Sequence, residues 1–420
     1  MFFKGLFVIL LPWLIVFSAR IFGPVTFGSL SGSVLIFVAT CLIVSAMFYA
    51  AGYAVVKNKV SRWPEIRPYK PSGGVVFHRV YSAFFFFTLL FALISFYDFL
   101  VVKAGVLSEI VAMRESEHLS GPRNSLIGAI GTLLSGAPVL FFALVLSRKN
   151  ISRVKKYATY GAIFLGFASM FLTGGRNAFF IGLVFVFAYY LFFIKVPVLE
   201  GISDAKPHLF GKFILLLVIT LGVYYSLNIF FERFEHQGLN SQKALDHLSH
   251  DYNVSIAEIS CLYTNSLCEK LYPIFVYLIY YGTHALNYID AYFLIDESPM
   301  FLGAYNFSVI SRMADITLSI NSFEHVRSQL LVVGVYLSLP GSLFLDFGYI
   351  GTIVVMAFMS FWFGYFIKNV KSLALYQKMF ASYFTVLFIF SPVYSALGMA
   401  NGFSLIFLMF VTLLLSVRLR

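Results

Sequence analysis

The stretch FLTGGRNAFFIGL, Phe171 to Leu183, decides how this chain is read. It lies between Lys156 and Lys195, and Arg176 is the one charged residue in that interval. Read as one continuous element, the interval would hold a guanidinium inside a long apolar helix. At the centre of a bilayer-spanning helix an arginine costs roughly 2.5–3.5 kcal/mol on insertion scales. The alternative is a helical hairpin. Gly174 and Gly175 then supply the tight turn, because glycine adopts positive φ at little steric cost. One helix ends near Thr173 and the next begins near Asn177, so Arg176 stands at the mouth of the hairpin. Its side chain can still reach down between helices.

The surrounding chain supports a membrane reading. Its 420 residues are 60% hydrophobic and 12% charged, with 50 Phe and 26 Tyr. The mean hydropathy is +0.86. A soluble domain carries about 25% charged residues. Apolar runs reach the roughly 20 residues needed to cross about 30 Å of hydrocarbon, and they recur along the whole length. The fold class expected is therefore an all-α polytopic membrane protein. The first segment, Phe2 to Phe17, followed by the small residues Ser18 and Ala19, has the outline of a signal peptide. With so many spans to follow, it reads as a retained first helix.

About ten spans are expected, at residues 4–22, 28–56, 77–102, 126–147, 157–173, 177–195, 213–230, 348–367, 379–397 and 402–417. Between them the loops alternate in charge. One set holds Lys4, the basic residues of segments 57–79, 148–156, 195–212 and 368–378, and Arg418 and Arg420. That set contains 20 of the 30 basic residues but only Glu65, Glu200 and Asp204 of the 19 acids. The bias is the positive-inside signal and places both termini in the cytoplasm. It also accounts for the net charge of +11, which in a soluble protein would have suggested nucleic acid. No nucleic-acid partner is expected.

Three regions follow: 1–230, a bundle of about seven spans; 231–347, a large outer loop; and 348–420, about three further spans. Within the loop, Leu271–Phe293 is apolar enough to suggest a crossing. A single crossing would put Lys368, Lys371 and Lys378 outside, so the segment is expected to be a re-entrant or interface-lying helix with its aromatic side on headgroups. Pro273 and Gly282 fit a break within it. Cys41 fits a small buried apolar residue in the second span. Cys261 and Cys268 share the outer loop, as a disulfide or as two buried thiols.

Candidate chemistry concentrates at the outer side. Arg176, Arg233, Arg312 and Arg327 could form a cationic site for a phosphate or pyrophosphate, because planar guanidinium groups donate paired hydrogen bonds to phosphate oxygens. Set against this, Arg312 with Asp315 and Glu324 with Arg327 lie at helical spacing and also fit surface pairs. In DHLSHD, Asp246 to Asp251, His247 and His250 could face one ion, but no second ligand pair of zinc-like spacing accompanies them, and a solvated loop fits better. His325 has a carboxylate and an arginine within two residues and is a candidate general base; an exposed loop histidine fits equally. Asp346 stands just before a span that Gly348 and Gly351 allow to start sharply. It fits a cap on free N–H groups, or a group orienting an arginine or a sugar hydroxyl.

Three features taken in order resemble the O-antigen polymerases, the Wzy-type oligosaccharide repeat-unit polymerases. They are TGGRNAFF (Thr173–Phe180), the long outer loop, and VYLSLPGSLFLDFGYIG (Val335–Gly351) opening the next span. Thr173, Gly174, Arg176 and Ala178 match the first family motif, with Gly175 in place of serine. Val335, Tyr336, Asp346, Phe347, Gly348 and Gly351 match the later one, where Gly334 and Leu337 replace a common asparagine and threonine. The segment YYGTHALNYIDAYF (Tyr280–Phe293) resembles the family's aromatic loop helix.

The resemblance implies an inner-membrane enzyme with a large periplasmic loop, joining undecaprenyl-pyrophosphate-linked oligosaccharides by glycosyl transfer at the periplasmic face. It further implies Arg176, His325 and Asp346 as catalytic residues. Substrate pyrophosphate would be held by Arg176, Arg233, Arg312, Arg327 and Tyr336. Implied partners are the lipid-linked oligosaccharide, membrane lipid, a chain-length regulator and a flippase. No cofactor or metal is expected, since no D-x-D occurs in the chain. Two rival readings are an O-antigen ligase, disfavoured because Val326 follows His325, and a lipid-linked oligosaccharide flippase, disfavoured by the missing internal repeat.

Overall fold

The computed structural model describes residues 1–55, 75–102, 126–146, 153–172, 176–194, 220, 245–246, 248–250, 254–257, 266–295, 300–318, 322–331, 337–370 and 372–416. Apolar runs become helices wherever they are long enough to satisfy their own backbone groups away from water. In chain order these are α1 (Phe2–Phe22), α2 (Gly32–Val55), α3 (Val75–Tyr97), α4 (Leu126–Leu134), α5 (Ala137–Leu146), α6 (Arg153–Leu172) and α7 (Arg176–Tyr189). There follow α8 (Ser266–Thr283), α9 (Ala285–Phe293), α10 (Ser308–Leu318), α11 (Ser322–Gln329), α12 (Leu339–Lys368), α13 (Leu375–Phe390) and α14 (Ala400–Ser416). Single π-helical turns, Asp98–Val102 and Tyr190–Ile194, extend α3 and α7.

Among the described residues, four helices are long and apolar enough to cross a membrane: Phe2–Phe22, Gly32–Val55, His78–Val101 and Leu339–Lys368. The shorter apolar helices α6, α7, α13 and α14 fall where further spans were expected. Among the described residues the fold is helical with one exception. Strands β1 (Val25–Thr26) and β2 (Ser255–Ile256) form a two-residue antiparallel ladder that the all-α expectation lacked.

Several boundaries differ from the sequence reading, each for a local reason. The span expected at 126–147 is two helices, parted at Ser135–Gly136, where the Ser404 hydroxyl accepts from Gly136 N at 2.7 Å. The span expected at 379–397 stops at Phe390, because Pro392 lacks the N–H that would continue the ladder to Phe388 O, which the Ser391 hydroxyl takes instead at 2.8 Å. Residues 391–399 instead turn beside the start of α12. There Ser391 O accepts from Leu339 N at 2.7 Å and Leu337 O accepts from Ser395 N at 2.9 Å. Nor does Gly282 break the outer helix. Helix runs through both Pro273 and Gly282, and the offset between α8 and α9 falls at His284. A glycine inside a helix costs only about 1 kcal/mol, too little to end one. The span expected at 213–230 lies almost wholly outside the described residues.

Contacts sort the helix ends into two sets. At one end Tyr49 donates to Phe2 O at 2.9 Å, the Lys368 ammonium lies 4.7 Å from the Tyr53 ring, and Lys378 lies 6.0 Å from the Phe193 ring. The start of α1, the ends of α2, α7 and α12, and the start of α13 therefore share this basic end. At the other, the loop end, Ala257 N donates to Pro24 O at 2.8 Å, beside the ladder. Ser31, just before α2, donates its N–H to the Asp290 carboxylate of α9 at 3.2 Å and its hydroxyl to the same group. The segment after α1 is thus fastened to two parts of the long loop.

The tightest helix crossing joins α2 to α12, which run parallel. A Cβ at Gly52 would meet Phe361 O at 2.0 Å, and one at Gly364 would meet Tyr49 O at 2.1 Å. Paired small residues let the two backbones approach, as helices packed in lipid require.

Candidate functional site

The candidate site is built at the loop end of α12. Ser338 caps this helix, its hydroxyl accepting from Gly341 N at 3.2 Å, with Pro340 in the first turn. The helix then breaks at Gly348, whose φ of 65° and ψ of −170° suit only glycine. The break strands the carbonyls that precede it. Leu345 O and Asp346 O are taken by Phe301 N and Leu302 N, both at 2.9 Å. These bonds hold Leu302 at a positive φ of 52°.

The Asp346 side chain completes the junction. It is fully buried, and its two oxygens accept from Tyr305 N at 2.9 Å, Asn306 N at 2.9 Å and Asn306 Nδ2 at 2.7 Å. Asn306 Nδ2 also donates to Ser342 O at 2.9 Å, and its Oδ1 accepts from the Ser395 hydroxyl at 2.8 Å. Asp346 does meet free N–H groups, but those of the 301–307 turn and not of its own helix. It anchors the turn that launches α10. Its oxygens face protein donors, so within the described residues it touches neither an arginine nor solvent.

Helices α10 and α11 form a short hairpin beyond this turn. Asp315 Oδ1 accepts from Ser322 N at 2.6 Å and from the Ser322 hydroxyl at 2.7 Å, capping α11 from the neighbouring helix. The hairpin brings Arg312 and Arg327 into electrostatic range of each other and of Glu324. Partial desolvation, then the like charge of Arg327, lowers the Arg312 pKa from its ordinary value, and Glu324 opposes the shift. Arg327 Nη1 lies 4.0 Å from Glu324 Oε1, an exposed pair of the kind worth at most about 1 kcal/mol. His325 is exposed on α11 beside them.

The sequence reading gathered these arginines into a cationic site. The described pair instead keeps solvent contact on the face of a hairpin, because α11 carries Glu324, His325, Arg327 and Ser328 with little apolar surface to bury. Arg233 and Tyr336 lie outside the described residues.

Arg176 opens α7, as the hairpin reading of the sequence requires. Its neighbour Asn177 donates from Nδ2 to Met399 Sδ at 3.7 Å, and the adjacent Gly398 carbonyl accepts from the Ser308 hydroxyl at 3.4 Å. Two short links therefore join the start of α7 to the start of α10, the helix that carries Arg312.

Comparison with protein-family models, curated proteins and solved structures finds no match.

Among the described residues no three His, Cys, Asp or Glu side chains are placed to hold a metal ion. His247 and Cys261 lie outside them, so neither the DHLSHD reading nor the Cys261–Cys268 alternatives are decided. Cys41 is buried in α2. An open apolar groove of about 340 Å³ lies between α3 and α4, lined by Leu93, Ile94, Tyr97, Ile127 and Ile130. Sequence reasoning missed Asn306 and Asp290. Asn306 had one available signal: a polar amide in LGAYNF, just after a glycine turn. Asp290 had none, since its partner Ser31 is 259 residues away.

Proposed function

We propose that the protein is a membrane glycosyltransferase that takes a lipid-diphosphate-linked oligosaccharide as donor, and that it acts as an O-antigen-type repeat-unit polymerase. The observation that carries this reading is that Arg312 and Arg327 lie within electrostatic range of each other on a hairpin tied, through Ser308 and Gly398, to the start of α7 at Arg176. In such a transfer an acceptor hydroxyl attacks the anomeric carbon. The bond from that carbon to the diphosphate oxygen breaks, a base takes the hydroxyl proton, and the lipid diphosphate leaves. Negative charge grows on phosphate oxygens, and arginines positioned beforehand stabilise it, often the largest single contribution to catalysis. His325 and Glu324, exposed on the same hairpin, are the groups available to take the proton. Asp346 holds the hairpin in place. No metal enters the scheme, so activity persists in EDTA.

The test is the lipopolysaccharide ladder of a null strain carrying variants. Arg176→Ala is expected to leave a single repeat unit on the core, with protein level unchanged. Arg176→Lys fails as well if paired hydrogen bonding matters, and retains activity if charge suffices. A ladder of normal length in Arg176→Ala removes Arg176 from the mechanism. Long chains left on the lipid carrier in the null strain identify a ligase instead. Movement of labelled lipid-linked units across the bilayer without chain growth identifies a flippase.

A further inference from the structure

Helix α8 lies across the loop end of α1. Gly23 closes α1, and a Cβ there would sit 3.0 Å from Ile279 Cγ2. One face of α8 is packed inward: Tyr272, Val276, Tyr277 and Tyr280 are buried with Val25, Leu245, Leu248 and Val254. The sequence reading gave the aromatic side of this helix to lipid. The structure turns three of its tyrosines into the protein.

The opposite face is not polar. Leu271, Phe275, Leu278 and Tyr281 recur at helical spacing and are 53%, 51%, 65% and 42% exposed. Held in water, such a stripe forfeits about 25 cal/mol for each Å² of apolar surface left wet. The stripe begins where the exposed end of a crossing helix stops: Ile21 and Phe22, the last residues of α1, are 70% and 84% exposed. Charge fixes the level. Lys4 and Arg20 bracket the apolar length of α1, about 24 Å at a rise of 1.5 Å per residue. Arg20, half-buried, reaches past the end of α1 to donate to Gly28 O at 2.8 Å and to cover the Phe27 ring at 4.7 Å. Hydrocarbon therefore gives way to headgroups near Arg20, and α8 begins to touch α1 just beyond.

We infer that α8 is an interfacial lipid anchor. Its Leu271–Phe275–Leu278–Tyr281 stripe sits at the boundary between acyl chains and headgroups on the loop side, continuous with the lipid-facing end of α1. The occupant of the stripe is phospholipid. The anchor is not isolated. Helix α9 continues from it, holds the start of α2 through Asp290 and Ser31, and reaches the segment just after α11 through Leu331 N, which donates to the Tyr292 hydroxyl at 3.0 Å. Lipid contact at α8 thereby sets the height of the α10–α11 hairpin above the membrane. The inference stands whether or not the enzyme assignment does.

The full-length protein is tested in phosphatidylethanolamine–phosphatidylglycerol proteoliposomes. The photoreactive residue p-benzoylphenylalanine replaces Phe275, Leu278 or, as an exposed control on α11, Ser328. On illumination, the Phe275 and Leu278 variants are expected to gain the mass of one phospholipid, and the Ser328 variant to gain none. The Phe275 replacement keeps an aromatic ring, which guards against simple misfolding. The inference is overturned by a dimer band, by an internal cross-link to residues 213–230, or by recovery of both stripe variants without adduct.

Discussion

At the scale of the residue, Asp346 and His284 carry the clearest expectations. Asp346 is fully buried and gathers three N–H donors. Asp346→Asn sets an amide N–H₂ against N–H groups and strands at least one of them, at a cost of roughly 2–4 kcal/mol. A lower thermal midpoint in detergent, with faster proteolysis at 301–307, is the expected result; an unchanged midpoint removes Asp346 as the anchor. His284 is buried among the rings of Tyr280, Tyr281 and Tyr288, with Nδ1 at 3.1 Å from Tyr280 O. Burial holds its pKa down to about 4 from 6.5. The folded protein therefore keeps His284 neutral where the unfolded chain takes up a proton. Its contribution to stability is complete above pH 6.5 and is lost as pH falls from 6.5 to 4, by about 3 kcal/mol in all. Unfolding measured between those limits should show the fall, and His284→Gln should flatten it.

At the scale of the element, the break in α12 governs the site. Gly348→Ala forces a side chain into a backbone region nearly closed to it and should cost roughly 1–3 kcal/mol. Gly161→Ala in α6 is the control. Its Cβ meets open space in a regular helix, so stability should hold or rise by up to about 1 kcal/mol. Equal losses in the two variants would mean that the break stores nothing. This element also shows how far the sequence could be read. Gly348 and Gly351 in FGYIG pointed to a sharp start near residue 348, and the break lies there. The half-helix before it, Leu339–Phe347, was not foreseen. Its bonds run to Ser391, Phe301 and Asn306, partners that no local pattern reveals. Likewise TGGRNAFF pointed to a helix beginning near Asn177, and α7 begins at Arg176; the turn before it lies outside the described residues.

At the scale of the whole molecule, two features bind distant parts. The α2–α12 crossing leaves no room for a side chain at Gly52 or Gly364. Gly52→Leu should separate the helices and abolish recovery of folded protein on size-exclusion chromatography, whereas Gly28→Ala, which meets nothing, should be neutral. That much of the chain forms apolar helices could be read from hydropathy, since hydropathy is a sum over many residues. Pair contacts could not: nothing local in the sequence says that α10 and α11 bring Arg312 within electrostatic range of Arg327. The β1–β2 ladder, with the Ser31–Asp290 link beside it, has a consequence for biogenesis. Val25 and its partner Ile256 are about 230 residues apart, so at roughly 5–20 residues per second the ribosome needs about 12–46 s to deliver the second strand. Throughout that interval the turn between α1 and α2 has no second strand to pair with, and a chain truncated before Ser255 never gains one.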